Sequence, residues 1–180
     1  MTTVAQTSWG IDNVHSEIGF KVRHLVISHT SGKFDRFEAS VISSSDDFTD
    51  AQISFSADVD SINTANEQRD AHLKSDDFFN AAQFPKLSFK STSFKKVDGS
   101  EYKLSGDLTI RDITKNVSLS VDFGGVITDP WGNVKAGFEA TGKINRKDFN
   151  LKWDAFTEAG GAVVSDEIKL QLHIELQKNA

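Results

Sequence analysis

The most constraining feature of this chain is a strict alternation near its end. Ile168, Leu170, Leu172, Ile174 and Leu176 take every second position, with Lys169, Gln171, His173 and Glu175 between them. Successive side chains of a strand point to opposite faces, so a period of two gives this segment one apolar and one polar face. A helix would scatter the same residues around its axis. The pattern recurs along the chain. Ile18, Phe20, Val22 and His24 share a face, as do Ile53, Phe55, Ala57 and Val59, and Leu87 with Phe89. So do Tyr102, Leu104, Gly106, Leu108 and Ile110, then Val117, Leu119, Val121 and Phe123, and then Val134, Ala136, Phe138, Ala140 and Ile144. Residues 32–42 form one more such segment, but Phe34 and Phe37 are three apart, which breaks the alternation and predicts a bulge. The count is about eight antiparallel strands, each buried on one side.

Turn chemistry separates the strands: Ser43-Ser44-Ser45-Asp46-Asp47, Asp98-Gly99, and Asp129-Pro130-Trp131-Gly132-Asn133. No internal repeat and no Pro- or Gly-rich linker divides the 180 residues, so one domain is expected. Residues 64–79 depart from the strand pattern. Thr64 and Glu67 have capping-box spacing and predict a short helix. Its sides are polar nearly all round, so Phe78, Phe79 and Phe84 are expected to anchor its end. A segment held this way suits the cover of a barrel mouth.

Eight one-sided strands close into a barrel or pack as a sandwich. An eight-stranded barrel is just wide enough to be filled by side chains or to hold one small ligand. Gly106, Ala57, Ala136, Ala140 and Gly142 on the inward face either leave such room or merely offset the bulk of 14 Phe. Both readings stand at this level.

Charge and composition narrow the function. Lys plus Arg is 20 against 26 Asp plus Glu, a net charge of −6, which argues against a nucleic-acid partner. The absence of Cys removes disulfides, thiol nucleophiles and cysteine-ligated metals. The first basic residue is Lys21, and residues 1–10 hold no apolar block, so no secretory signal is visible and a cytoplasmic protein is expected, or a periplasmic one if the chain is a processed form. No His-Glu-x-x-His run, Gly-x-Ser-x-Gly elbow or glycine-rich phosphate loop is present, so neither a metal nor a catalytic residue is assigned.

Several short motifs stand in a telling order. Asp12, His15 and Ser16 precede the strand that ends at His24, and Gly32-Lys33-Phe34 follows. Then come Ser61-Ile62-Asn63-Thr64, Arg69-Asp70, His72-Leu73, Asp77-Phe78-Phe79 and Phe84-Pro85-Lys86-Leu87-Ser88-Phe89. Gly106-Asp107-Leu108-Thr109-Ile110 and Ile144-Asn145-Arg146-Lys147-Asp148-Phe149 complete the series. In this order the chain resembles the YceI-like family of bacterial lipid-binding proteins, over residues 9–176. Asp112 departs from it, since the family usually has Gly there; Asp also tolerates a turn.

The resemblance implies an all-β, lipocalin-like extended barrel of eight antiparallel strands, often a homodimer, with the helix of residues 64–79 near a mouth. It implies non-catalytic binding, storage or transport of a long-chain isoprenoid or related amphiphilic lipid, isoprenoid quinones among them, and no other cofactor. No stable membrane insertion is expected. The apolar channel would be lined by the inward set Phe20, Val22, Phe55, Val59, Leu108, Phe138, Leu170 and Leu172. Asn63, Arg69, His24 and Arg146 would meet the polar head, Arg being suited to phosphate by its bidentate fork. Asp12, His15 and Asp70 are read as structural. The rival readings are a ligand-free stress-response or interaction barrel, and a hydrolase using the same cavity.

Overall fold

The computed structural model describes residues 5–25, 27–154 and 163–179. Its strands are β1 (Thr7–Ile11), β2 (Glu17–His24), β3 (Ser28–Phe34), β4 (Phe37–Ser43), β5 (Gln52–Asp58), β6 (Ile62–Asn63), β7 (Lys86–Asp98), β8 (Glu101–Ile110), β9 (Ile113–Thr128), β10 (Val134–Asn145) and β11 (Val164–Lys178). One helix, α1 (Glu67–Lys74), and two 3-10 turns, Val59–Ser61 and Arg146–Phe149, complete the described elements.

All strand pairings are antiparallel, in the order β1-β4-β5-β7-β8-β9-β10-β11, and β11 returns to β1 to close the barrel. Three positions in the wall are each shared by two strands: β1 and β2, β4 and β3, and β5 and β6. β11 is so long that its end, Leu176 to Lys178, pairs with β1, while its earlier part pairs with β2. β4 and β3 lie outside them in the same way. Counting each split position once gives a closed eight-stranded barrel.

The split explains the three-residue spacing of Phe34 and Phe37. Both are buried, and the chain between them turns outward, where Asp35 N–H donates to Ser61 O (3.1 Å) and Arg36 N–H to Ser61 Oγ (2.9 Å). The two closing layers differ. In the lower half β1, β4 and β5 form a continuous wall. In the upper half β3 finds only the two residues of β6. The chain segment carrying α1 follows directly, beside the weakest part of the wall.

The helix is shorter than expected and is capped differently. Ala65 takes a left-handed φ of 62°, which delays entry by two residues, and Asn66 becomes the N-cap, its side chain accepting Arg69 N–H at 2.9 Å. Thr64 does not cap; its N–H and hydroxyl donate to Asp70 Oδ1 at 2.9 and 2.5 Å. Turns replace helix after Lys74, and Phe78 is buried beneath them.

The inward glycines seat large neighbours rather than opening space. A Cβ on Gly106 would lie 2.3 Å from Phe89 Cζ and 2.6 Å from Lys90 O, and one on Gly142 would lie 2.2 Å from Leu119 Cδ2. For these positions the offsetting of bulk is the correct reading. Gly106→Ala must move backbone as well as a ring, so a loss of roughly 1–3 kcal/mol is expected in a urea titration. An unmoved midpoint would show that Phe89 repacks freely.

Candidate functional site

The buried inward residues form two clusters, one toward each end of the barrel, and the inward residues of β11 between them are only partly buried. One buried cluster gathers Trp9, Phe48, Phe94 and Tyr102 at the lower end; the other gathers Phe34, Phe78, Phe149 and Leu151 at the upper end. Ile168, Leu170, Leu172 and Ile174 point inward by parity yet remain only partly buried. The space that leaves them accessible is a cavity of about 630 Å³, within the range of roughly 300–1,000 Å³ that ligand pockets occupy.

Phe48 stops the lower end. It is 1% exposed and lies 5.1 Å from the Trp9 ring, 5.5 Å from Phe123 and 5.1 Å from Phe138. Its φ of 60° is costly for an aromatic residue, so the surrounding loop must hold it there. The Asp50 carboxylate accepts from the Ser43 and Ser44 hydroxyls and from Ser44 N–H, and the Tyr102 hydroxyl donates to Asp47 O at 2.7 Å. The Ser44 hydroxyl, followed by Ser44 N–H, holds the Asp50 carboxyl below the usual range.

The other end is the mouth. The polar residues that line the cavity stand there: on β2 and β3, on α1 and the residues before it, and on the Arg146–Phe149 turn. Arg23, His24, Arg69, His72 and Arg146 are among them, and no Asp, Glu or Ser lines the cavity among the described residues. The His72 ring meets Phe78 at 5.1 Å and Trp153 at 5.0 Å, both edge-on, and its Nε2 is 2.8 Å from Asp77 Oδ2. Arg111 braces this region from below: its Nη1 donates to the carbonyls of Asp76 and Phe78 and its Nη2 to the Asp76 carboxylate.

Of the apolar residues chosen from sequence, Phe20, Val22, Phe55, Leu108, Phe138, Leu170 and Leu172 line the cavity. Val59 does not. The strand ends at Asp58, and Val59 opens a 3-10 turn, where it is buried in the upper cluster with its N–H on Pro85 O. Of the polar residues, His24 and Arg69 line the mouth. Asn63 is outside the lining and is occupied by Asp35 and Ala65 N–H. Arg146 touches the cavity but its donors are taken: Nε by Ser165 O at 3.0 Å, Nη1 by Leu151 O at 2.6 Å and Trp153 O at 2.8 Å, Nη2 by Asp154 Oδ1 at 2.9 Å. Arg69 donates from Nε to Thr64 Oγ1 (2.8 Å) and from Nη2 to Thr64 O (2.6 Å). It makes no ion pair with Asp70 or Asp77. Phe48 and Arg23 escaped the sequence reading. Phe48 is a lone aromatic in a Ser/Asp-rich turn, which was a usable signal; Arg23 sits on the outward parity of β2 and gave none.

A polar cluster also forms away from the cavity. Asp12, His15 and Glu175 bring their ligating atoms within 4.8 Å of one another. The cation already there is Lys135, whose Nζ is 2.7 Å from Asp12 Oδ2. Burial opposes the charge on Asp12, but hydrogen bonds from Lys135, His15 and the backbone of His15 and Val14 outweigh it and hold its carboxyl well below the usual range. The Asp12 hydrogen bond in turn raises His15. The cluster fastens the corner between β1 and β2 to β10 and β11.

Residues 9–176 match the model of the YceI-like domain. A UPF0312 protein of Staphylococcus aureus strain MSSA476 is 36% identical over 170 residues, covering 94% of this chain and 96% of its own length. The YceI protein of Campylobacter jejuni, known from a crystal structure, superposes with a TM-score of 0.75 at 30% identity, over 100% of both chains. A polyisoprenoid-binding domain from Saccharophagus degradans has a TM-score of 0.67 at 14% identity, covering 95% of this chain and 98% of that one, and shares the fold. No helix among the described residues is long and apolar enough to cross a membrane.

Proposed function

Because the chain belongs to the YceI-like family, we propose that it is a non-catalytic carrier that holds one long-chain amphiphile, an isoprenoid or related lipid, with its chain in the barrel and its head at the mouth. The observation that carries this reading is the polarity of the cavity. Its blind end is apolar and stopped by Phe48, its polar lining is gathered at the mouth, and that lining is cationic among the described residues although the chain is acidic overall. An amphiphile has the same polarity. A packed, ligand-free barrel is disfavoured by the unfilled middle. A hydrolase is disfavoured by a lining that holds no Ser or carboxylate among the described residues. The name of the Saccharophagus domain is consistent with an isoprenoid.

The energetics favour a carrier that discriminates by shape and head group. Burying tens of carbons from water at about 0.8 kcal/mol each would exceed the usable affinity range of about 18–21 kcal/mol. A lipid starts in a membrane or on another carrier, so most of that gain cancels. Channel width and the head then decide. We assign the head to Arg69 and His24, and the chain to Phe20, Val22, Phe55, Leu108, Phe138, Leu170 and Leu172. A phosphate or a quinone ring both suit these donors.

Mass spectrometry of an organic extract of the purified protein tests the reading. Stoichiometric lipid is expected, or binding of added isoprenoid at a ratio of one per chain. Arg69→Ala should weaken a phosphorylated isoprenoid more than its neutral alcohol, by roughly tenfold, since only the former makes a charge-assisted bond. If no lipid is extracted and none binds when added, the carrier reading fails.

A further inference from the structure

The turn joining β2 to β3 has the wrong chemistry for a turn. Hairpin tips favour Gly, Asn, Asp, Ser or Pro. Here the sequence runs Leu25-Val26-Ile27. Leu25 takes a φ of 53°, a strained value for a branched side chain, and is held by its N–H on Val163 O at 2.9 Å. Ile27 is 86% exposed. A single exposed aliphatic residue needs no explanation. Two of them on a strained tip, immediately after Arg23 and His24 of the cavity mouth, form an apolar point beside that mouth.

The outer face behind that tip is basic. Lys143, Lys169 and Lys21 stand directly opposite one another across β10, β11 and β2. Nearer the tip, Arg23 stands opposite His29. Like charges facing each other across a sheet destabilise it. Among the described residues the row has one carboxylate partner, Glu167, 3.9 Å from Lys143. In a chain of net charge −6 this row does not follow from composition. An apolar element flanked by exposed cations has the composition of a reversible bilayer contact.

We infer that the β2–β3 tip docks the protein on an anionic bilayer, with Leu25 and Ile27 entering the headgroup layer and Lys21, Lys169 and Lys143 facing lipid phosphates, so that the mouth opens toward the membrane. The purpose of this contact rests on the carrier reading; its test does not. Charge complementarity selects the occupant: a bilayer supplies both an apolar layer and a dense anionic plane.

Flotation with vesicles of phosphatidylcholine alone, and of phosphatidylcholine with phosphatidylglycerol, tests it. The protein should float with the anionic vesicles and be released by high salt. Ile27→Asp should weaken this by about tenfold or more, and Lys21→Gln and Lys169→Gln by about fivefold for each cation removed. Trp131→Ser, at the closed end and 83% exposed, should change nothing. All four variants should still take isoprenoid from detergent solution as the parent does. Absence of flotation, equal flotation of all variants, or self-association that Ile27→Asp dissolves without any vesicle binding would each overturn the inference. Vesicle binding by a protein that takes no lipid from detergent would instead sink the carrier reading and leave the docking surface standing.

Discussion

Replacing Arg146 by alanine is expected to remove about 3–5 kcal/mol of stability, the usual result of breaking a buried charged network from one side. Arg146 is 2% exposed, and its guanidinium ties together two segments: the start of β11 through Ser165 O, and residues 151–154 through Leu151 O, Trp153 O and the Asp154 carboxylate. Loss of the side chain leaves those carbonyls short of donors in a low-dielectric site and leaves Asp154 to Lys147, 2.7 Å away. A domain holds only about 5–15 kcal/mol in total, so the urea midpoint should fall steeply. Arg146→Lys should recover little, because an ammonium lacks the planar fork that reaches both segments at once. The alternative is that Arg146 is a head-group ligand. It would then lose lipid affinity while its midpoint stayed in place, and that outcome would return Arg146 to the binding set.

Much of the wall was legible because a strand's period of two is local. The parity of β2, β5, β8, β10 and β11 follows from neighbouring residues alone, and it places seven of the chosen side chains on the cavity. What failed depended on where elements stop. Val59 keeps the parity of β5, but the chain leaves the sheet at Asp58 to form a 3-10 turn, and no alternation reports that. Thr64 and Glu67 have capping spacing, yet the left-handed Ala65 hands the cap to Asn66. At the β8–β9 turn the positive φ of 57° falls on Arg111 and not on Asp112, so Asp in place of glycine there carries no conformational cost.

The site as a whole was less legible than its wall. The cationic mouth assembles from β2, α1 and the turn after β10, which are far apart in sequence. The plug is a single Phe whose role exists only because the loop from Ser43 folds back over Trp9. The choice between a filled and a hollow interior was open because it depends on the sum of side-chain volumes against barrel width. The glycines proved misleading, since Phe89 and Leu119 occupy the space opposite them.

Two alanines on β10 turn that choice into a measurement. Ala136 and Ala140 face inward four residues apart, and both are buried. Both belong to the lower cluster, but Ala140 also borders the cavity, opposite Leu172 on one side and Val121 on the other, whereas Ala136 does not border it. Tryptophan at 140 can extend into unfilled space, so it should cost less than the roughly 1–3 kcal/mol of an overpacked core and should bury new apolar surface. It should also obstruct the channel, reducing isoprenoid binding by about a hundredfold or more, since a chain that cannot pass Ala140 loses much of its buried length. Tryptophan at 136 meets close-packed neighbours and should show the full overpacking cost. Calorimetry of both variants with an isoprenoid titration separates the cases. Equal destabilisation would mean that the interior collapses around residue 140. Full stability of Ala140→Trp with undiminished binding would mean that the lipid lies elsewhere. The expected result is a stable protein that no longer takes lipid, because the space that makes the substitution cheap is the space the ligand needs.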